Sequence, residues 1–218
     1  HRIRIAAGGI ARIAFWTAAA SSREAALDLL DKHHDANAFA RASTLTWTQA
    51  QVQLHHLGIS AAEASLFQRL AGHILYADPS LRPSSETIRL GGAGPAALWS
   101  HGISGDLPIV LLQIREASNI ELVRQLVQAH AYWRLKGLAV DLVIWNEDRG
   151  GYRQVLHDLI MGLIAAGVEA NVIDRPGGIF VRPAEQISNE DRILLQAVAR
   201  VIVSDEQGFF VLMIRRPP

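Results

Sequence analysis

The chain has 218 residues, half of them hydrophobic and 19% charged, with lysine plus arginine and aspartate plus glutamate equal at 21 each. That composition fits one or two folded domains with a real core and argues against disorder. Zero formal charge argues against a nucleic-acid partner, and the lack of cysteine excludes disulfides, thiolate zinc sites and cysteine nucleophiles.

The first twenty residues predict a β-hairpin. Arginines and apolar side chains alternate through Arg2-Ile3-Arg4-Ile5 and Ala11-Arg12-Ile13-Ala14-Phe15, around a turn at Ala7-Gly8-Gly9. An isolated hairpin is marginal in water, so residues 1–20 are expected to finish a β-sandwich whose other strands precede residue 1. Residues 21–77 read as helical. Ser21-Ser22 can cap a first helix through about Lys32, and a second runs from about Asn37 to Leu57 and stops at Gly58. Ser60 and Glu63 form a capping-box pattern ahead of a third, with Leu66, Phe67, Leu70, Ile74 and Leu75 on its buried face.

Residues 78–98 are rich in proline and glycine and read as a long loop and domain boundary. Beyond them the rhythm changes. Apolar runs at Leu107–Leu112, Leu138–Trp145, Gly178–Val181 and Val201–Val203 alternate with helical stretches at about 120–135, 152–166 and 189–198. Residues 99–205 therefore predict an α/β unit with a mainly parallel sheet, so the fold class is mixed α/β.

Two strings are chemically suggestive. In Leu98-Trp99-Ser100-His101-Gly102-Ile103-Ser104-Gly105-Asp106, two glycines let the backbone approach a ligand that Trp99, His101, Ser104 and Asp106 can contact. The bland alternative is a tight entry into the sheet with its polar groups bonded locally. Asp106 is a weak catalytic candidate. Trp145, Asn146, Glu147 and Asp148 lie at the carboxyl end of a strand, where open α/β sheets place ligands. There the carboxylates can bind hydroxyls and Trp145 can offer a stacking face; a helix-capping cluster is the alternative.

Several functions fail on spacing. Gly102-Ile103-Ser104-Gly105-Asp106 is not a nucleophile elbow and precedes its strand. Neither Gly-x-Gly-x-x-Gly nor a Walker loop follows a strand, so no nucleotide is expected. The pairs His33-His34 and His55-His56 point different ways on a helix, and His73, His130 and His157 are isolated, so no metal site is expected. No cofactor is expected in this segment. No apolar run reaches the roughly 18–20 residues of a membrane span, so direct membrane contact is not expected either.

A longer pattern carries a family resemblance. Ala11–Thr17, Ser22–His33, Trp47–Leu54, Phe67–His73, Leu81–Ser85, Gly102-Ile103-Ser104-Gly105-Asp106-Leu107-Pro108-Ile109-Val110, Ala131–Arg134 and Val140–Glu147 resemble cyclic β-1,2-glucan synthases over residues 2–205. The resemblance implies a fragment of a very long bacterial inner-membrane enzyme, with this segment soluble on the cytoplasmic side. Such enzymes build a β-1,2-glucan from UDP-glucose, cyclise it and adjust its length through a region similar to glycoside phosphorylases (former glycosyltransferase family 36). It places this segment where the phosphorylase-like sandwich enters a helical linker, beside the remaining domains of the same polypeptide. No catalytic residue is carried over from the family.

Three readings follow. The segment is a structural or glucan-contacting module, or it contributes catalytic residues to a phosphorylase or transglycosylase site, or it is a free-standing α/β binding protein. Residues 206–218 depart from the family and resemble translated vector or adapter sequence, so a non-native tail is expected there.

Overall fold

The structure is a computed structural model and describes residues 2–13, 15–35, 37–76, 79–91, 96–147, 153–167 and 170–207. The chain divides into two compact units, residues 1–53 and 54–218.

In the first unit the expected turn forms but the expected ladder does not. Gly8 takes a φ of +78°, and the Gly9 amide donates to the Ala6 carbonyl at 2.9 Å. No strand occurs among the described residues on either side. Ile3, Ile5, Ile10, Ile13 and Phe15 are exposed, so nothing buries the apolar face that would hold the two arms in register. The two helices do form. Helix α1 (Arg23–His33) is capped by the Ser22 hydroxyl, which accepts from the Ala25 amide at 3.1 Å. Helix α2 (Ala38–Leu57) passes into the second unit and stops at Gly58, whose φ of +62° suits only glycine well.

The second unit opens with helix α3 (Ala61–Tyr76). Its capping box closes in both directions: the Ser60 hydroxyl accepts from the Glu63 amide at 3.2 Å, and the Glu63 carboxylate accepts from the Ser60 amide at 2.8 Å. The Ser60 amide is the main reason the Glu63 carboxyl titrates below its usual range. Leu66, Phe67, Leu70 and Ile74 are buried as the spacing predicts, whereas Leu75 lies one position off that stripe and is exposed. The expected loop at 78–98 instead holds a 3-10 turn at Pro79–Leu81 and two short helices, α4 (Ser85–Leu90) and α5 (Ala96–Trp99).

Four parallel strands follow: β1 (Ile109–Ile114), β2 (Asp141–Asn146), β3 (Ile179–Pro183) and β4 (Val201–Ser204), in spatial order β3-β2-β1-β4. Helix α6 (Ile120–Leu135) joins β1 to β2, α7 (Arg153–Ala166) joins β2 to β3, and α8 (Asn189–Val198) joins β3 to β4. The first two crossovers step outward from β1, and the third returns to its other side. For crossovers of one hand, reversing direction puts the connecting helix on the opposite face. The packing agrees. Val110, Leu112, Ile114, Leu142, Ile144 and Val203 share a core with α3, α6 and α7, while Leu111, Val143, Trp145 and Phe180 share one with α5 and α8.

Helix α3 is tied into this body, so the boundary expected at 78–98 does not separate it from the sheet. The Trp133 indole donates to the Phe67 carbonyl at 2.8 Å, and Gln68 donates to the Tyr132 hydroxyl at 2.7 Å. Before β3, Gly178 is sterically obligatory, since a Cβ there would lie 1.9 Å from the Val172 carbonyl oxygen.

Asp141, the first residue of β2, is fully buried. One carboxylate oxygen accepts from the Gly177 amide at 2.7 Å, and the other has no hydrogen-bond partner among the described residues. Burial pushes its carboxyl above the usual 3.8; the Gly177 amide and His130 act against that shift, and Asp106 adds to it. The folded chain therefore holds this proton more tightly than the unfolded chain. Asp141 favours the fold fully below pH 3.8, and the advantage is lost as pH rises through the raised value. Asp141→Asn keeps the acceptor for Gly177 and is expected to gain stability over the parent progressively through that window. Melting temperatures of both proteins from about pH 3 to about pH 7 test this; two parallel curves would rule the carboxyl out as the titrating group.

Candidate functional site

The strand order makes the carboxyl ends of β1 and β4 the topological switch point, where sheets of this kind usually open a ligand crevice. Here the chain's own charges fill that place. An Asp205 oxygen, just past β4, accepts from the amides of Arg115 and Glu116 at 2.9 and 3.2 Å and from the Asn119 side chain at 3.1 Å. These amides lead into α6, so a carboxylate of the protein sits where an anionic ligand would bind. Arg115 bonds Glu147 at 2.8 Å and also pairs with Glu206, while Arg192 of α8 approaches Glu147 to 3.9 Å. Four carboxylates (Glu116, Glu147, Asp205 and Glu206) outnumber the two guanidiniums, so a phosphate gains nothing by entering.

This arrangement decides what the residues after β2 can do. Trp145 is only 1% exposed, with the Arg192 guanidinium 6.0 Å from its ring centre. It has no open face for a sugar, which corrects the stacking role expected from its place at the strand end. The physical reason is that β2 is covered on both faces, so every side chain along it is buried. Asn146 is likewise buried, in register with Ile114 and Pro183. Glu147 is largely buried and held by its two arginines. Asp148 lies outside the described residues.

The loop from Trp99 to Pro108 runs along the α8 face toward the amino end of β1. Four contacts hold its course. Arg182 of β3 donates two hydrogen bonds to the His101 carbonyl at 2.7 and 3.2 Å, and the His101 imidazole lies 3.2 Å from Asp191 in the first turn of α8. The Trp99 indole donates to the Ser104 carbonyl at 3.3 Å, and the Ser104 hydroxyl accepts from the Asp106 amide at 3.2 Å. Gly102 and Gly105 take φ of +74° and +79°, and a Cβ on Gly105 would press to 3.1 Å from Leu98. His101 and Ser104 are thus engaged within the fold, while Trp99 is 66% exposed.

The loop ends beside a cleft of about 380 Å³, between the start of β1 and the end of α8. Asp106 lines it, together with Arg200, a residue that no spacing rule singled out. Among the described residues neither side chain has an ion-pair partner. Their charges cancel, and the surface between them is polar and apolar in about equal measure. The described residues hold no cluster of three histidine or acidic side chains fit for a metal, and none of their helices is long and apolar enough to cross a membrane.

The charge network at the switch point has measurable weight. Removing the Asp205 carboxylate takes the acceptor from two exposed amides and the half-buried Asn119 side chain, at a cost of about 1.5–3 kcal/mol, typical of hydrogen bonds to a charged group. Asp205→Ala is expected to lose that much in urea denaturation, and Asp205→Asn to recover part of it. A loss within about 0.5 kcal/mol for Asp205→Ala would show that water replaces the carboxylate. Trp145→Ala is expected to cost about 3–5 kcal/mol by opening a core cavity, and equal stability of variant and parent would contradict its buried placement.

No protein-family model matches the chain. Over 154 residues, 71% of its length, it is 37% identical to the cyclic beta-(1,2)-glucan synthase NdvB of Rhizobium meliloti (strain 1021). The match spans only 5% of that much longer protein. The chain is homologous to a segment of this glucan synthase.

Proposed function

We propose that the chain works within a polypeptide of the cyclic β-1,2-glucan synthase kind, as a structural and glucan-contacting module rather than as its catalytic centre. The homology to a segment of such a synthase supports the setting. In that setting its partners are the other domains of the polypeptide and the β-1,2-glucan itself. The parent activity is glucosyl transfer from UDP-glucose followed by cyclisation and length control, at the inner membrane of a bacterium.

The observation that carries the contact role is the cleft beside Asp106: a carboxylate without an ion-pair partner among the described residues, beside Leu98, Leu107 and Leu194, with the exposed Trp99 one residue after Leu98. Ionised carboxylates accept from sugar hydroxyls, and an aromatic face packs against pyranose C–H groups. Among the described residues one carboxylate lines the cleft, whereas glycoside hydrolysis uses a pair flanking the bond. That imbalance favours binding over hydrolysis.

Asp106 and Arg200, without ion-pair partners among the described residues, also support a second reading, in which an acid and an anion-holding cation serve phosphorolysis. Release of glucose 1-phosphate from β-1,2-glucan and phosphate, abolished by Asp106→Asn with the fold intact, would establish that reading over the first.

For the module reading, calorimetric titration of the full chain with linear β-1,2-gluco-oligosaccharides is expected to give weak, saturable binding. Asp106→Asn is expected to weaken it about tenfold, the equivalent of about 1.4 kcal/mol, with little change in melting temperature. The absence of any binding by the parent chain would sink the contact role.

A further inference from the structure

The cleft has a second half, supplied from the far end of the α/β unit. Arg200 follows α8, and its backbone amide donates to the Ile109 carbonyl at 2.8 Å, which pins this residue beside the start of β1. Arg200 lines the same cleft as Asp106, and these are the only two charged residues that line it among the described residues. Leu98, Leu107, Leu194 and Val198 supply apolar wall.

We propose that Asp106 and Arg200 together form a subsite for one pyranose ring bearing a free vicinal diol, which makes Arg200 a residue that determines which glucan linkage is accepted. The inference rests on the glucan-contacting reading and adds the ring chemistry and the second residue.

The charges decide the ligand class. A phosphate entering the cleft would meet one guanidinium and one carboxylate, so attraction and repulsion offset each other. A neutral polyol uses both groups: the carboxylate accepts from two adjacent hydroxyls, and the guanidinium donates to hydroxyl oxygens with its planar fork. The apolar wall takes the C–H side of the ring. A β-1,2 linkage engages C1 and C2 of each glucosyl unit, so O3 and O4 remain as a free vicinal pair. A β-1,3 linkage engages C1 and C3, and its inner rings keep O2, O4 and O6, no two of them adjacent on the pyranose.

The test titrates the full chain with a linear β-1,2-glucan, with a long soluble β-1,3-glucan and with inorganic phosphate, following affinity by calorimetry and location by backbone amide shifts. The expected result is β-1,2-glucan binding at least about tenfold tighter per ring than β-1,3-glucan, with shifts centred on residues 105–109 and 198–200. Arg200→Ala, which leaves the amide bond to Ile109 in place, is expected to lose at least about tenfold in affinity. Val198→Trp is expected to block the cleft and abolish the shifts, and phosphate is not expected to compete.

If the parent chain binds β-1,2-glucan and both variants bind it as tightly, the subsite is wrong while the contact role stands. Equal affinity for the two glucans overturns the diol assignment, and competition by phosphate overturns the choice of a neutral ligand. Failure of the parent chain to bind any glucan removes the contact role itself, and this subsite with it.

Discussion

Strand β1 is paired in parallel on both sides, with β2 along one edge and β4 along the other, and the rest of the α/β unit answers to that constraint. Parallel neighbours cannot be joined by a tight turn, so each connection carries a helix, and the helices must cover both faces. Strand β4 returns to the side of β1 opposite β2, so its helix falls on the face that α6 and α7 leave open. The two cores follow from this division. So does the need to neutralise the carboxyl ends of the strands, where amides and charged side chains converge on the gap between β1 and β4.

At that gap the chain uses Asp205 as an internal anion. One oxygen accepts three hydrogen bonds from the segment that leads into α6, which removes the vacancy that a nucleotide phosphate occupies in related architectures. Arg115 then lies between Glu147 and Glu206. Isolated surface pairs contribute little, but this group links segments following three strands and orders an end of the sheet that would otherwise hold unpaired groups. The position that topology favours for a ligand is thereby closed by the protein itself.

The elements legible in the sequence are those whose signals are local. The Ser60–Glu63 box, the glycines at 58 and 137 and the four apolar runs each specify an element within a few residues, and the structure places helices and strands on them. The hairpin was not decidable in this way. Alternating arginine and isoleucine states which face would be buried, but a ladder also needs something to bury it against. The stretch at 78–98 reads as loop in the sequence because α4 and α5, of six and four residues, are too short to display a helical period. The partners of Glu147 were out of reach for a different reason. Arg115 lies 32 residues before it, and Asp205 meets Arg115 across 90 residues, so only the fold brings them together. The burial of Trp145 was readable: an unbroken apolar run marks a strand covered on both faces, and such a strand leaves no side chain free to stack.

With the carboxyl end closed, the amino end of β1 becomes the place where the α/β unit presents unspent polar groups, and the loop from Trp99 to Pro108 is built to hold them still. Arg182 fixes the His101 carbonyl, Trp99 fixes the Ser104 carbonyl, and Ser104 fixes the Asp106 amide. A loop tied at three points has little freedom left to lose, so a ligand that docks on it is spared most of the ordering cost that weak binders usually face. The same bonds engage the His101 carbonyl and both the Ser104 carbonyl and hydroxyl in shaping the loop. In the proposed contact role, recognition falls to the exposed Trp99 indole, the Asp106 carboxylate and the Arg200 guanidinium that follows α8. Under that proposal, one acid and one base favour a neutral ligand over a phosphate. A long, uncharged, repetitive ligand is then the expected kind, since each ring offers the same hydroxyl pair and weak contacts add along a chain whose units pass the site in succession.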